Sequence, residues 1–230
     1  MKHCIRTLLL GGAAVLTICP AMAGDVTPDR LINADKEPQN WLMNHRTYDA
    51  QRYSPLDKIN KENIKSLKLA YALAIGGTAA NENLQSTPLA EDGFLYVVDQ
   101  WGVVYKIDVR SGEMGRIVWR MDPGQEKLPL SNRGAALLGN LVISTANYPA
   151  RVIATNKDNG KVVWETNLHD QPDVQITAAP LAVKDKIIVG AAGGDRGVRD
   201  WIAALDGASG KIIWRKYVIP APGEPGSETW

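Results

Sequence analysis

Three segments of the 230-residue chain end alike: a turn with glycine, then a short apolar run closed by tryptophan. They are Ile107-Asp108-Val109-Arg110-Ser111-Gly112 leading to Trp119, Thr155-Asn156-Lys157-Asp158-Asn159-Gly160 leading to Trp164, and Leu205-Asp206-Gly207-Ala208-Ser209-Gly210 leading to Trp214. The second and third share one spacing, with glycine four residues before tryptophan, whereas the first carries three extra residues between Gly112 and Trp119. The tryptophans stand 45 and 50 positions apart. That period fits the four-stranded blades of a β-propeller, not a helical repeat.

The runs between these turns support an all-β reading. Residues 94–98, 103–107 and 117–119 are rich in β-branched and aromatic side chains, and Asp92-Gly93 and Arg110-Ser111-Gly112 punctuate them. The pattern recurs over 141–144, 151–154 and 162–164, and again over 186–189, 201–205 and 212–214. Each unit reads as one antiparallel sheet whose apolar face must be covered by stacking on a neighbour. The repeated tryptophan reads as a wedge between blades, its indole N–H bonded to the next blade's backbone. Upstream, residues 24–39 are polar without periodicity and read as a loose leader. A helix is expected around 61–67.

Residues 1–23 read as a secretory signal. Lys2 and Arg6 form a basic start, 8–18 is an apolar run too short for a bilayer, and Ala21-Met22-Ala23 supplies a cleavage pattern. A membrane anchor and a lipoprotein site at Cys19 are the weaker readings of the same stretch. Both cysteines, Cys4 and Cys19, lie there, so the mature chain relies on packing, not disulfides. Without Lys2 and Arg6 the 26 basic residues become 24 against 25 acidic ones, a net charge of −1. Such a balance gives no footprint for nucleic acid or an anionic membrane surface.

Beyond the blades, four motifs stand out: Arg52-Tyr53-Ser54-Pro55-Leu56, Asn132-Arg133-Gly134, Ile176-Thr177-Ala178-Ala179-Pro180 and Gly193-Gly194-Asp195-Arg196-Gly197-Val198-Arg199. Together with the blade signature at Asp108–Gly112 and in this order, they make the chain resemble the pyrroloquinoline-quinone (PQQ) dependent alcohol dehydrogenases of the bacterial periplasm. The resemblance runs from about Trp41 to the last residue and implies an eight-bladed propeller with tryptophan docking motifs. About three of those blades are expected here, over 40–230, as the N-terminal part of such an enzyme and inactive as this partial chain.

The resemblance also assigns residues. Arg133 falls where the family arginine bonds PQQ, a tricarboxylate that suits a guanidinium fork. Thr177 matches a threonine that bonds a PQQ carboxylate, and Ala192, Gly193 and Gly194 form a small-residue stretch that a flat cofactor can approach. Asp195 takes the place of a glutamate that ligates Ca²⁺, and a carboxylate is the hard oxygen donor that ion prefers. Gln85 stands where the family usually carries a glutamate at the cofactor. Lys127 and Leu128 replace the adjacent cysteines that many members place over the quinone, leaving Leu128 or Pro129 to cover the ring.

What the resemblance implies chemically is oxidation of an alcohol to a carbonyl compound, with a metal, Ca²⁺ or a lanthanide, acting as Lewis acid. An aspartate base beyond Trp230 is expected to take the hydroxyl proton, and electrons to pass to a cytochrome c. The rival from another class is a non-enzymatic exported propeller scaffold of the outer-membrane assembly type. Fold does not separate the two; Arg133, Thr177 and Asp195 held together do.

Overall fold

A computed structural model describes residues 24–76, 83–126 and 131–229. Residues 1–23, read as a secretory signal, and the positions 127–129 lie outside the described residues. Twelve strands form three four-stranded antiparallel sheets, each a meander in chain order. The first holds β1 (Leu89–Glu91), β2 (Phe94–Val98), β3 (Val104–Asp108) and β4 (Arg116–Met121). The second holds β5 (Ala136–Leu138), β6 (Leu141–Asn147), β7 (Ala150–Asn156) and β8 (Val162–Asn167). The third holds β9 (Leu181–Val183), β10 (Lys186–Gly190), β11 (Trp201–Asp206) and β12 (Ile212–Tyr217). These are propeller blades, as the repeat implies.

The same irregularity recurs in every blade. Between the third and fourth strands the register shifts once, at Lys106/Ile107, Ala154/Thr155 and Ala204/Leu205. Trp119, Trp164 and Trp214 pair directly with Lys106, Ala154 and Ala204, and Val118, Val163 and Ile213 are each left as the extra residue. A bulge of this kind re-aims the neighbouring side chain, so the tryptophan leaves its own sheet and meets the next. Trp119 Nε1 donates to Lys157 O at 2.9 Å, and Trp164 Nε1 donates to Gly207 O at 3.2 Å. The wedge role is thus present at both junctions between described blades. Trp214, on the far flank of the third blade, is 44 % exposed.

One apolar core runs through all three sheets, from Tyr96 and Leu89 through Ile143 and Ile153 to Ile187 and Leu205. A smaller cluster of Val97, Val103, Tyr105 and Ile107 lies on the other flank of the first blade, covered by Leu73 and Ile75. No helix among the described residues is long and apolar enough to cross a membrane.

Two expectations change. Residues 24–39 are not loose: α1 (Pro28–Ile32) is capped by Thr27, and Val26 and Leu31 are buried in the main core. Val26 and Gly139 exchange backbone hydrogen bonds at 2.9 and 2.8 Å. Arg30 reaches Glu37 at 2.7 Å and Glu91 at 3.0 Å. A polar stretch therefore docks through two apolar anchors and one ion-pairing arginine. The expected helix over 61–67 shrinks to a single 3₁₀ turn, Ile64–Ser66. Asn60 Oδ1 accepts from the Glu62 and Asn63 N–H groups, and Asn63 Nδ2 donates to Lys58 O. Short polar side chains compete in this way for groups a helix would need.

Beneath the first blade, a buried charge hub ties the leader to the second. Lys157 and Glu91 side chains are both fully buried, with Lys157 Nζ 2.9 and 2.8 Å from the two Glu91 oxygens. Lys157 Nζ also donates to Gly24 O at 2.7 Å. Lys106 Nζ, over the Phe94 ring at 4.3 Å, donates to Lys157 O at 2.9 Å, and burial pushes its pKa down.

Candidate functional site

Of the residues singled out by sequence, Gln85, Arg133 and Thr177 lie just before the innermost strands β1, β5 and β9, and 192–195 follow β10. Arg133 sits between the other two blades. Its N–H donates to Thr177 O at 3.2 Å, its Nη1 donates to the same oxygen at 3.2 Å, and its carbonyl accepts from Thr87 N–H at 3.3 Å. Three consecutive blades are thereby stitched at one corner. The flanking residues explain the local sequence. Asn132 Nδ2 donates to Thr145 O at 3.0 Å while its Oδ1 accepts from Gly134 N–H at 3.0 Å, so it fixes the loop that presents Arg133. Gly134 has φ 125°, and a Cβ there would stand 3.3 Å from Thr87 O.

Thr177 is held through its neighbour. Ile176 N–H donates to Asn147 Oδ1 at 2.7 Å, and Thr145 Oγ1 donates to Ile176 O at 3.0 Å. Two residues earlier, Gln175 and Ala192 exchange backbone hydrogen bonds at 3.0 and 2.8 Å, which brings the 192–195 stretch alongside. Gly194, Asp195 and Arg196 form a 3₁₀ turn. Asp195 is exposed. Its charge, after burial itself, pushes the Asp200 carboxyl upward.

Gly193 is also required by local packing. Its φ is 129°, and a Cβ would meet Val198 Cγ2 at 2.7 Å. Packing against Val198 thus leaves no room for a side chain there. Gln85 is exposed, two residues before Thr87. The structure therefore joins Arg133 and Thr177 directly and sets Ala192 beside them. Asp195 makes no hydrogen bond to Arg133 or Thr177 among the described residues.

Several groups at this corner were not anticipated. Ser86 Oγ is buried with no hydrogen-bond partner. Thr87, two residues before β1, accepts a bond from Arg52 Nη2 at 3.4 Å. Asp200 brings a second carboxylate, with Oδ1 buried and unpartnered and Oδ2 3.3 Å from where a Gly194 Cβ would lie. The blade repeat aligns Pro88 with Pro180, and so Gln85 with Thr177 and Thr87 with Ala179.

This donor set is cationic and hydroxylic, with an orphaned serine hydroxyl, and it suits a flat polycarboxylate better than an apolar ligand. Asp195 and Asp200 supply hard oxygen donors to one side. No group of three or more metal-ligating side chains is gathered among the described residues. Two cavities, of about 360 and 350 Å³, lie elsewhere. One is on the first blade's flank by Tyr105 and Arg120, the other under the leader by Val26 and Gly207.

Three four-stranded blades joined by tryptophan hydrogen bonds make this chain part of a β-propeller. The family profile described as the PQQ glucose/ethanol/alcohol dehydrogenase β-propeller domain matches residues 41–230, and the chain belongs to that family. It is 33 % identical over 235 residues to quinohemoprotein alcohol dehydrogenase ADH-IIG of Pseudomonas putida, covering 96 % of this chain and 31 % of that protein. The solved structure of that enzyme superposes with a TM-score of 0.77 over 88 % of this chain and 30 % of its own. A europium-containing methanol dehydrogenase gives 0.75 at 31 % identity, over 85 % of this chain and 35 % of its own. The chain spans about a third of the length of the curated relatives it matches.

Proposed function

We propose that this chain carries part of the cofactor corner of a PQQ- and metal-dependent alcohol dehydrogenase, with Arg133, Thr177, Gln85, Ala192, Gly193 and Gly194 facing the cofactor and Asp195 facing the metal. The observation that carries this reading is the Arg133–Thr177 junction. It places a fixed guanidinium fork and a hydroxyl-bearing residue side by side where neighbouring blades converge. When bound, PQQ supplies the acceptor for the alcohol's hydride and the metal supplies Lewis acidity beside it. The residues here do the holding: Arg133 binds and orients a carboxylate, Thr177 adds a hydroxyl donor, and Asp195 offers oxygen to Ca²⁺ or a lanthanide.

Arg133→Gln is expected to weaken PQQ binding at least tenfold, a charge-assisted bond being worth about 1.5–3 kcal/mol. Asp195→Ala is expected to weaken metal binding and leave PQQ affinity less changed. Calorimetric titration of the protein in its full natural length reads both. Unaltered affinities in both variants would remove the site assignment.

The setting proposed with it is the periplasm, a small alcohol as substrate and a cytochrome c as electron acceptor. Residues 1–23 act as the signal, 24–39 as leader and 40–230 as propeller. Export predicts cleavage after Ala23. N-terminal sequencing of the periplasmic protein should start at Gly24, the residue whose carbonyl meets Lys157. A protein that keeps Met1 in the cytoplasm refutes the assignment.

A further inference from the structure

Eleven arginines lie among the described residues, and eight of them are in ion pairs. The three without one are Arg52, Arg133 and Arg196. Two of these three meet at the same corner. Arg52 Nη2 bonds Thr87 Oγ1 at 3.4 Å, and Thr87 N–H in turn bonds Arg133 O at 3.3 Å. Arg52 is exposed and keeps a left-handed backbone, φ 57°, that is costly for a non-glycine residue.

Its segment is anchored upstream to two blades. Trp41 pairs with Ala90 of β1 and the Tyr48 hydroxyl donates to Ala182 O of β9 at 2.7 Å. The loop that delivers Arg52 thus runs from the first blade to the third and back to the first at Thr87. Thr87 thus links the two, through its hydroxyl to the Arg52 side chain and through its N–H to the Arg133 backbone, and neither arginine has a carboxylate partner among the described residues. Beside them the buried Ser86 hydroxyl lacks a partner.

We propose that Arg52 is a second cationic contact for the cofactor's carboxylate rim, acting with Arg133 across Thr87. This rests on the PQQ reading of the site and extends it to a residue outside the blades. One arginine can pair one carboxylate through its fork. A tricarboxylate leaves others to satisfy, and Arg52 is the remaining unpaired cation bonded into this corner. Arg196, the third, follows Asp195 on the metal side.

The test uses the protein in its full natural length, produced in a host that makes no PQQ, and titrates PQQ itself by equilibrium dialysis. Arg52→Gln is expected to weaken binding about tenfold and to flatten its salt dependence, while Arg52→Lys, which keeps the charge, stays within about threefold. Equal losses for Arg52→Gln and Arg52→Lys would overturn a charge contact. If Arg133→Gln weakens binding and Arg52→Gln does not, the inference falls and the site reading stands. If neither does, both fall. A second measurement needs no variant: PQQ should protect Arg52 together with Arg133 from phenylglyoxal, read by mass spectrometry. Equal modification of Arg52 with and without PQQ would overturn the proposal.

Discussion

Lys157→Met should cost the protein about 3 kcal/mol of stability, because it leaves Glu91 with its charge buried and its main partner gone. Breaking a buried pair from one side costs about 3–5 kcal/mol. The lower end applies here because Arg30, 3.0 Å from Glu91 Oε1 and itself part-exposed, remains to share the charge. Removing the carboxylate as well, in Lys157→Met with Glu91→Gln, should recover most of the loss, since the penalty lies in the orphaned charge and not in the pair's net worth. Urea unfolding midpoints for the two variants decide it. A single variant at least as stable as the double one would show that the hub is solvated and energetically idle.

The second large effect concerns how blades lock. Gly112 and Gly210 hold the same place in the repeat and the same φ, +71°. A Cβ on Gly210 would lie 2.4 Å from Trp164 Cε3, whereas a Cβ on Gly112 meets nothing within 4 Å. Gly112→Ala should therefore cost only the left-handed backbone penalty, about 1–2 kcal/mol. Gly210→Ala should cost that plus an overpacking term of about 1–3 kcal/mol, and the Trp164 bond to Gly207 O should loosen with it. Thermal or urea unfolding of the two variants separates the terms. Equal losses would mean that tryptophan docking adds nothing to the junction.

The blades were readable in sequence because their signal is local and repeated. Turn glycine, β-branched run and tryptophan all fall within some fifteen residues, and nine of the twelve strands follow from them. The three innermost strands were not legible. Each is three residues long, as in Leu89–Glu91, too short to show a period of two. The docking of 24–39 was hidden for another reason: Val26 and Leu31 are isolated apolar residues in a polar stretch, and their partners are far away in sequence. At the site, Arg133 and Thr177 were named through family resemblance, and the bond from the Arg133 side chain to the Thr177 carbonyl joins residues 44 apart that no spacing rule connects. Arg52 belongs to a motif recognised only as a family marker. Its link to Thr87 is a contact between residues 35 apart, which no spacing rule reveals.

The charge hub also sets an order of assembly. Each blade is a meander of adjacent strands, so its ladders close over short loops, at small entropic cost and early. Lys157, by contrast, collects partners 66 and 133 residues away, Glu91 and Gly24. In a chain made or exported N-terminus first, the leader and its Arg30 emerge long before Lys157 exists. Glu91 then waits in water, where its charge costs nothing, until β7 has placed the lysine beneath the first blade. The leader is thus a late latch. Its bonds to Gly139 and Lys157 form only once the second blade exists, while Arg30 can already meet Glu91 on the first.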